Sequence, residues 1–202
     1  GIYLLSRGDQ EDREIPSDEV FVCGESEAVD FEGNRYDTAM IGNQCWMAEN
    51  LASERDKEGN WIPRECYDDD PAMCDIYGGL YDWKTSSIAC PEGWELATDD
   101  DFKEMERYLG MEEEEIESFG WRYSGDVARK MMAGGESGFD ALMGGHVDSS
   151  YVFHGRHHYA FFWTGTPSGD FATRRYLSTM ELGVVRNNKE QEFGFSVRCI
   201  LR

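Results

Sequence analysis

The sequence predicts an α+β domain stapled by disulfides, and three observations carry that expectation. The six cysteines, Cys23, Cys45, Cys66, Cys74, Cys90 and Cys199, include no C-x2-C pair of the kind that forms a metal knuckle. An even number at wide spacing reads instead as bridges, which persist in oxidising compartments. Helical signals cluster between residues 98 and 132, whereas the chain after Gly138 alternates aromatics with Gly, Ser, Asn and Arg as short strands do. Helices set ahead of a β-rich half give α+β architecture.

Taken in order, residues 1–19 read as an N-terminal extension or linker: an apolar run, Ile2 to Leu5, then a charged stretch, Arg7 to Glu14. A single domain is expected over 20–202. Val20 to Cys23 is strand-like, and Gly33-Asn34 inside Asp30 to Tyr36 predicts a hairpin turn. Thr38 to Gly42 leads into the apolar-polar block Gln44 to Leu51. Ala52 to Asp75 is polar and reads as a long loop, pinned at both ends if Cys66 pairs with Cys74. Tyr77 to Trp83 predicts a buried turn and strand.

Thr98 before Asp99-Asp100-Asp101 is an N-cap with carboxylates in the first turn. Phe102, Met105, Glu106 and Leu109 follow at helical spacing, and Gly110 stops the helix. Met111 to Phe119 predicts a second acidic helical piece with Glu112 to Glu115 solvated, and Asp126 to Met132 a third. At the end, Phe195, Val197, Cys199 and Leu201 share one face of a strand and Ser196, Arg198, Ile200 and Arg202 the other. No internal repeat is evident.

Composition narrows the function. Aromatics (11 Phe, 10 Tyr, 6 Trp) are enough for a core and argue against disorder in the body of the chain. With 41 acidic against 19 basic residues the net charge is −22, which repels phosphate, so no nucleic-acid partner is expected and anionic membrane surfaces are poor partners. The acidity is read first as a solubility device. No D-x-[DN]-x-[DN]-G loop is present, so calcium is kept only as an open cofactor and no other is expected. No apolar run is long enough for a transmembrane segment. The chain is expected to be an exported, extracellular form from which a leader has been removed.

Six ordered motifs carry a resemblance: IGNQCWMAENL (41–51), YGGLYDW (77–83), CPEGWELAT (90–98), GFDALMGG (138–145), FWTGT (162–166) and GFSVRC (194–199). In this order they resemble the Fibrobacter succinogenes major paralogous domain, over roughly Val29 to Arg202. The resemblance implies a fold similar to the C-type lectin-like group that includes the formylglycine-generating enzyme. It also implies an exported domain of cell-surface lipoproteins and adhesin-like proteins. Some relatives serve as hypervariable display proteins, and Arg174 to Leu177 with Arg186 to Asn188 resembles their variable region. Departures are Cys45, where an aromatic is usual, and Gly144 after Met143, where the family often has proline. Cys45 is read as the partner of the extra Cys23. Cys90 with Cys199 is similar to the long-range bridge of lectin-like domains.

Lectin-like folds present loops of the β-half to ligands, and here residues 151–188 are rich in Tyr, Trp and Arg, which anchor interfaces. The candidate contacts to a glycan or protein ligand are Tyr151, Phe153, His154, His157, Tyr159 and Trp163, followed by Arg174, Arg175, Tyr176, Asn187 and Asn188. For Trp163 and Phe162 a core position is the favoured reading, while Tyr151 and Tyr159 are evenly balanced. Arg174 and Arg175 suit a carboxylate, a sulfated sugar or an acidic partner, although pairing with the chain's own carboxylates is favoured. His157 and His158 point to opposite faces of a strand, so zinc at the histidine cluster with His154 and His146 is disfavoured.

No catalysis is expected. There is no G-x-S-x-G elbow, and the formylglycine-generating relatives hold copper with two nearby cysteines, whereas Cys199 stands alone near the C-terminus. The leading expectation is therefore a non-catalytic cell-surface recognition or adhesion domain. The alternatives are a structural subunit of a surface appendage that self-assembles through residues 1–19, and a relative of the formylglycine-generating enzyme.

Overall fold

The computed structural model describes residues 20–202, so the N-terminal extension and its role in self-assembly lie outside the described residues. Four short strands begin the fold: β1 (Ala28–Val29) pairs with β2 (Arg35–Tyr36), and β3 (Thr38–Ile41) with β4 (Gln44–Met47). The first hairpin is the one expected from Gly33-Asn34. Asp30 closes it, accepting backbone bonds from Glu32 and Asn34 while Gly33 takes φ +86°. Val20 to Cys23, by contrast, forms no strand. Val20 is 79% exposed, no strand among the described residues pairs with it, and Cys23 has a lone backbone bridge to Ser26.

The same turn recurs where no repeat was expected. Asp56 accepts from the backbone of Glu58 and Asn60, with Gly59 at φ +85°. Asp148 does so from Ser150 and Val152, but here Tyr151 occupies the glycine position at φ +60°. A left-handed side chain costs about 1–2 kcal/mol, and glycine's extra chain entropy takes back about 0.5–1. Tyr151→Gly is therefore expected to stabilise by about 0.5–1 kcal/mol, read as a raised Tm. A lowered Tm would mean that contacts of the ring outweigh the strain.

Within the stretch expected to be a long loop lies a helix, α1 (Pro71–Tyr77). Its signal is terminal rather than periodic: Asp70 caps Ala72 N–H and Pro71 takes the first turn. Trp83 opens a second helix, α2 (Trp83–Ser86), capped by Asp82, instead of ending a strand. Leu80 and Tyr81 make only single bridges, to Glu65 and Phe195.

Next come β5 (Trp94–Leu96) and α3 (Asp99–Tyr108). The α3 start is a reciprocal box: Thr98 Oγ1 accepts from Asp101 N–H, and the Asp101 carboxylate accepts from Thr98 N–H. Short pieces follow, α4 (Glu113–Ile116), β6 (Gly120–Arg122) and α5 (Val127–Met131). The rest is strand: β7 (His146–Val147) with β8 (Phe153–His154), then β9 (Tyr159–Ser168), β10 (Phe171–Ser178), β11 (Val184–Glu190) and β12 (Cys199–Leu201). The architecture is α+β, as expected.

Two four-stranded antiparallel sheets result, ordered β6-β11-β10-β9 and β3-β4-β12-β5. Alternate residues feed two cores. Trp46, Phe162, Leu177 and Ile200 join Phe102, Met105 and Val127 in one, while Met47, Phe161, Trp163 and Val197 join Tyr81 and Phe195 in the other. The last segment thus buries both sets of alternating side chains from Phe195 to Ile200. Ser196, Arg198 and Ile200 are buried, and the Arg198 guanidinium is filled by Asn50 Oδ1 and the carbonyls of Met47, Phe139 and Asp140.

The disulfides are Cys23–Cys45, Cys66–Cys74 and Cys90–Cys199. Among the described residues no helix is long and apolar enough to cross a membrane.

Candidate functional site

The sheet β6-β11-β10-β9 has one closed and one partly open face, and strand alternation decides which residue goes where. Arg175 and Arg186 stand directly opposite one another and point inward, with Arg122 close by on β6. Helix α3 meets them with two carboxylates two turns apart, Asp99 and Glu106. Arg175 places Nη1 2.6 Å from Asp99 and Nε 2.7 Å from Glu106; Arg122 Nη2 is 2.6 Å from Glu106 and Arg186 Nη2 2.6 Å from Asp99. The side chains of Arg122, Arg175 and Glu106 are fully buried. Burial alone would raise both carboxyls. At Asp99 the guanidiniums of Arg186 and Arg175 outweigh it, and at Glu106 those of Arg175 and Arg122, so both lie below the usual carboxylate range.

This cluster is closed to ligands. Arg175 is thereby removed from the candidate contacts and follows the favoured reading instead, pairing with the chain's own carboxylates, Asp99 and Glu106 of α3.

Outward-facing residues make a different surface. Trp121, Val185, Tyr176 and Phe161 line up across the four strands by register. Trp121 stacks on Tyr123 at 6.0 Å and meets Tyr176 edge-on at 5.4 Å; Tyr159 lies 6.2 Å from Tyr176. Over β9 this face is roofed by Phe195, stacked 5.3 Å from Phe161. Away from it Trp121, Tyr159 and Tyr176 are half-buried, and Tyr123 is exposed.

Arg174 projects into this surface beside Tyr176. Its Nε donates to Asn187 Oδ1 at 2.8 Å, and its guanidinium carbon lies 4.8 Å from the Phe195 ring centre, 5.0 Å from Phe161 and 5.1 Å from Tyr176. Burial lowers its pKa to about 10, still cationic at neutral pH. Next to it, His146 packs 4.6 Å from Phe161 with Nδ1 buried and unpartnered among the described residues. Burial, and then the charge of Arg174, hold His146 neutral with a pKa of about 4.

The other expected contacts scatter. Trp163 is wholly buried, its Nε1 donating to the Tyr81 carbonyl, and cannot touch a ligand. Tyr151 is 71% exposed at its turn and lines a separate cleft of about 120 Å³ with Arg64, Asp148 and Glu192. Phe153 packs on Tyr67, and His154 Nε2 lies 2.9 Å from Asp148. His157 is exposed near Tyr77, and Asn188 bonds Thr173 and Ser168 at the far end of its strand. Only Tyr159, Arg174, Tyr176 and Asn187 come together on the outer face.

Trp121 and Phe161, which complete that face, are absent from the residues singled out in the sequence, and His146 is named there only in the zinc reading. The alternation Gly120-Trp121-Arg122-Tyr123 was a legible strand signal for the first of them. Among the described residues no group of three or more His, Cys, Asp or Glu side chains is placed to hold a metal ion.

Residues 40–201 match the family model of the Fibrobacter succinogenes major domain. The chain belongs to that family. No curated protein and no solved structure matches it. The part that matches the Fibrobacter succinogenes major domain contains both faces of the sheet, together with the Cys66–Cys74 and Cys90–Cys199 bridges. Cys23 precedes the match, so its bridge to Cys45 ties an additional segment onto the Fibrobacter succinogenes major domain.

Proposed function

We propose that the chain is an exported, non-catalytic recognition or adhesion domain of the cell surface, contacting a glycan or protein with the outer face of β6-β11-β10-β9. One observation carries the reading. Trp121, Tyr159 and Tyr176 are half-exposed on one face, and among the described residues Trp121 Nε1 and both tyrosine hydroxyls have no hydrogen-bond partner. Five framework aromatics behave otherwise: Trp46, Trp83 and Trp163 donate to Gln44, Thr164 and Tyr81, and Tyr36 and Tyr81 to Asp30 and Ser53. Large rings with an apolar body and an unsatisfied polar tip suit an interface.

Three bridges, with no free cysteine among the described residues, support export. The non-catalytic reading is supported by the buried acids of α3, which are locked onto guanidiniums and out of reach of a substrate.

The test is a glycan array and a cell-surface protein panel probed with the parent chain and the Trp121→Ala/Tyr176→Ala variant. Hot-spot truncation of this kind costs about 2 kcal/mol or more, roughly a 30-fold loss of binding. A variant that keeps its Tm and still binds like the parent would sink the proposal.

A further inference from the structure

Resting on that recognition reading, we infer the ligand class of the outer face: a sugar bearing a single carboxylate, a uronic or sialic acid, whose acid group is taken by Arg174. On the inner face the terminal guanidinium nitrogens meet acids or carbonyls, although Arg122 Nε is left without a partner among the described residues. Arg122, Arg175 and Arg186 face carboxylates, and Arg198 faces an amide and three carbonyls. Arg174 has Asn187 on Nε and, among the described residues, nothing on the four N–H groups of Nη1 and Nη2.

In a chain with a net charge of −22, a largely desolvated arginine that forms no salt bridge among the described residues, with Glu190 acting on it only at longer range, is out of keeping with its surroundings. Aromatic rings on three sides hold the fork, and Asn187 fixes its plane. A carboxylate arriving from solvent completes two parallel N–H···O bonds.

The remainder of the face selects a sugar over an acidic peptide. Ring faces of Tyr159, Tyr176 and Trp121 offer apolar area, and their unpartnered hydroxyls and indole N–H stand at its margin. A pyranose presents the matching alternation of C–H faces and hydroxyl rims. Charge limits the ligand to one acid group. Lys189, the other cation near this face, is engaged by Glu190 at 2.8 Å, and the field of the whole chain repels polyanions.

The experiment is calorimetry with an otherwise uncharged oligosaccharide ending in glucuronic acid and another ending in sialic acid, each compared with its methyl ester. Polygalacturonate and a glutamate-rich peptide serve as competitors. Binding of either acid, weakened at least tenfold by esterification, is the expected result. Arg174→Gln should remove that acid–ester difference, whereas Arg174→Lys, which keeps the charge without the fork, should restore part of it. The acid–ester comparison on the parent chain needs no variant, so a misfolded variant cannot rescue the idea.

Equal binding of acid and ester, no binding of either acid, or preference for the peptide or the polyanion overturns the inference. If the Trp121→Ala/Tyr176→Ala variant loses a neutral glycan or protein that Arg174→Gln still binds, the ligand class falls and the recognition reading stands. If neither variant affects any ligand that the parent binds, both fall.

Discussion

Glu106→Gln is expected to destabilise the fold by about 3–5 kcal/mol, because it leaves two buried guanidiniums facing an uncharged amide. Arg122 and Arg175 both lean on this carboxylate, at 2.6 and 2.7 Å, with all three side chains sealed from water. The loss is a large share of the ~5–15 kcal/mol that domains have in total. It should appear in urea titration as a lower midpoint with unchanged slope. A loss below about 1 kcal/mol, the range of surface pairs, would mean that water reaches the cluster.

The pH dependence follows from the same atoms. Asp99 and Glu106 are held below their ordinary values, so at acid pH the unfolded chain binds more protons than the folded one. Their contribution is complete above the unfolded carboxyl values of about 4 and drains away as the pH falls toward the folded ones. Unfolding midpoints of the parent should drop steeply below about pH 4, and those of Glu106→Gln less so.

Removing the Cys90–Cys199 bridge with paired alanines should cost about 4–5 kcal/mol by the chain-entropy relation, since 109 residues separate the two sulfurs. Cys66 and Cys74, only 8 apart, should cost about 2–3. Both long-range partners are buried, Cys90 at 6% exposure and Cys199 at 0%, and the bridge joins the end of the α2 region to the central strand of a sheet. Denaturant unfolding of the two double variants gives the comparison. A short-loop loss equal to or larger than the long-loop one would transfer the effect from loop closure to local packing.

Much of the fold was legible wherever a local signal had one meaning. The α3 start combined a cap, three first-turn acids and apolar residues at helical spacing, and it formed as read. The Gly33-Asn34 hairpin likewise followed from turn chemistry. Helix α1 was not visible because its apolar residues do not face one core; Ile76 is 54% exposed, and only the Asp70-Pro71 entry betrays it.

The site was half legible for a related reason. Period-2 alternation says that Arg174 and Arg175 part company, but not which goes inside. An aromatic next to an arginine suggests that the ring is buried and the charge exposed. Acids on α3, 69 and 76 residues away, reverse that choice for Arg175. Trp121 joins the same face only through pairing with Val185, a contact made late in the chain.

That reversal has a wider effect. Consecutive positions on β6, β10 and β11 carry separate duties, with even-handed spacing between those that hold the molecule up and those that meet the outside. Trp121, Arg174, Tyr176 and Asn187 stand on the sheet face opposite the guanidinium lock, so a change at one of them leaves the ion pairs of Arg175 with Asp99 and Glu106 in place.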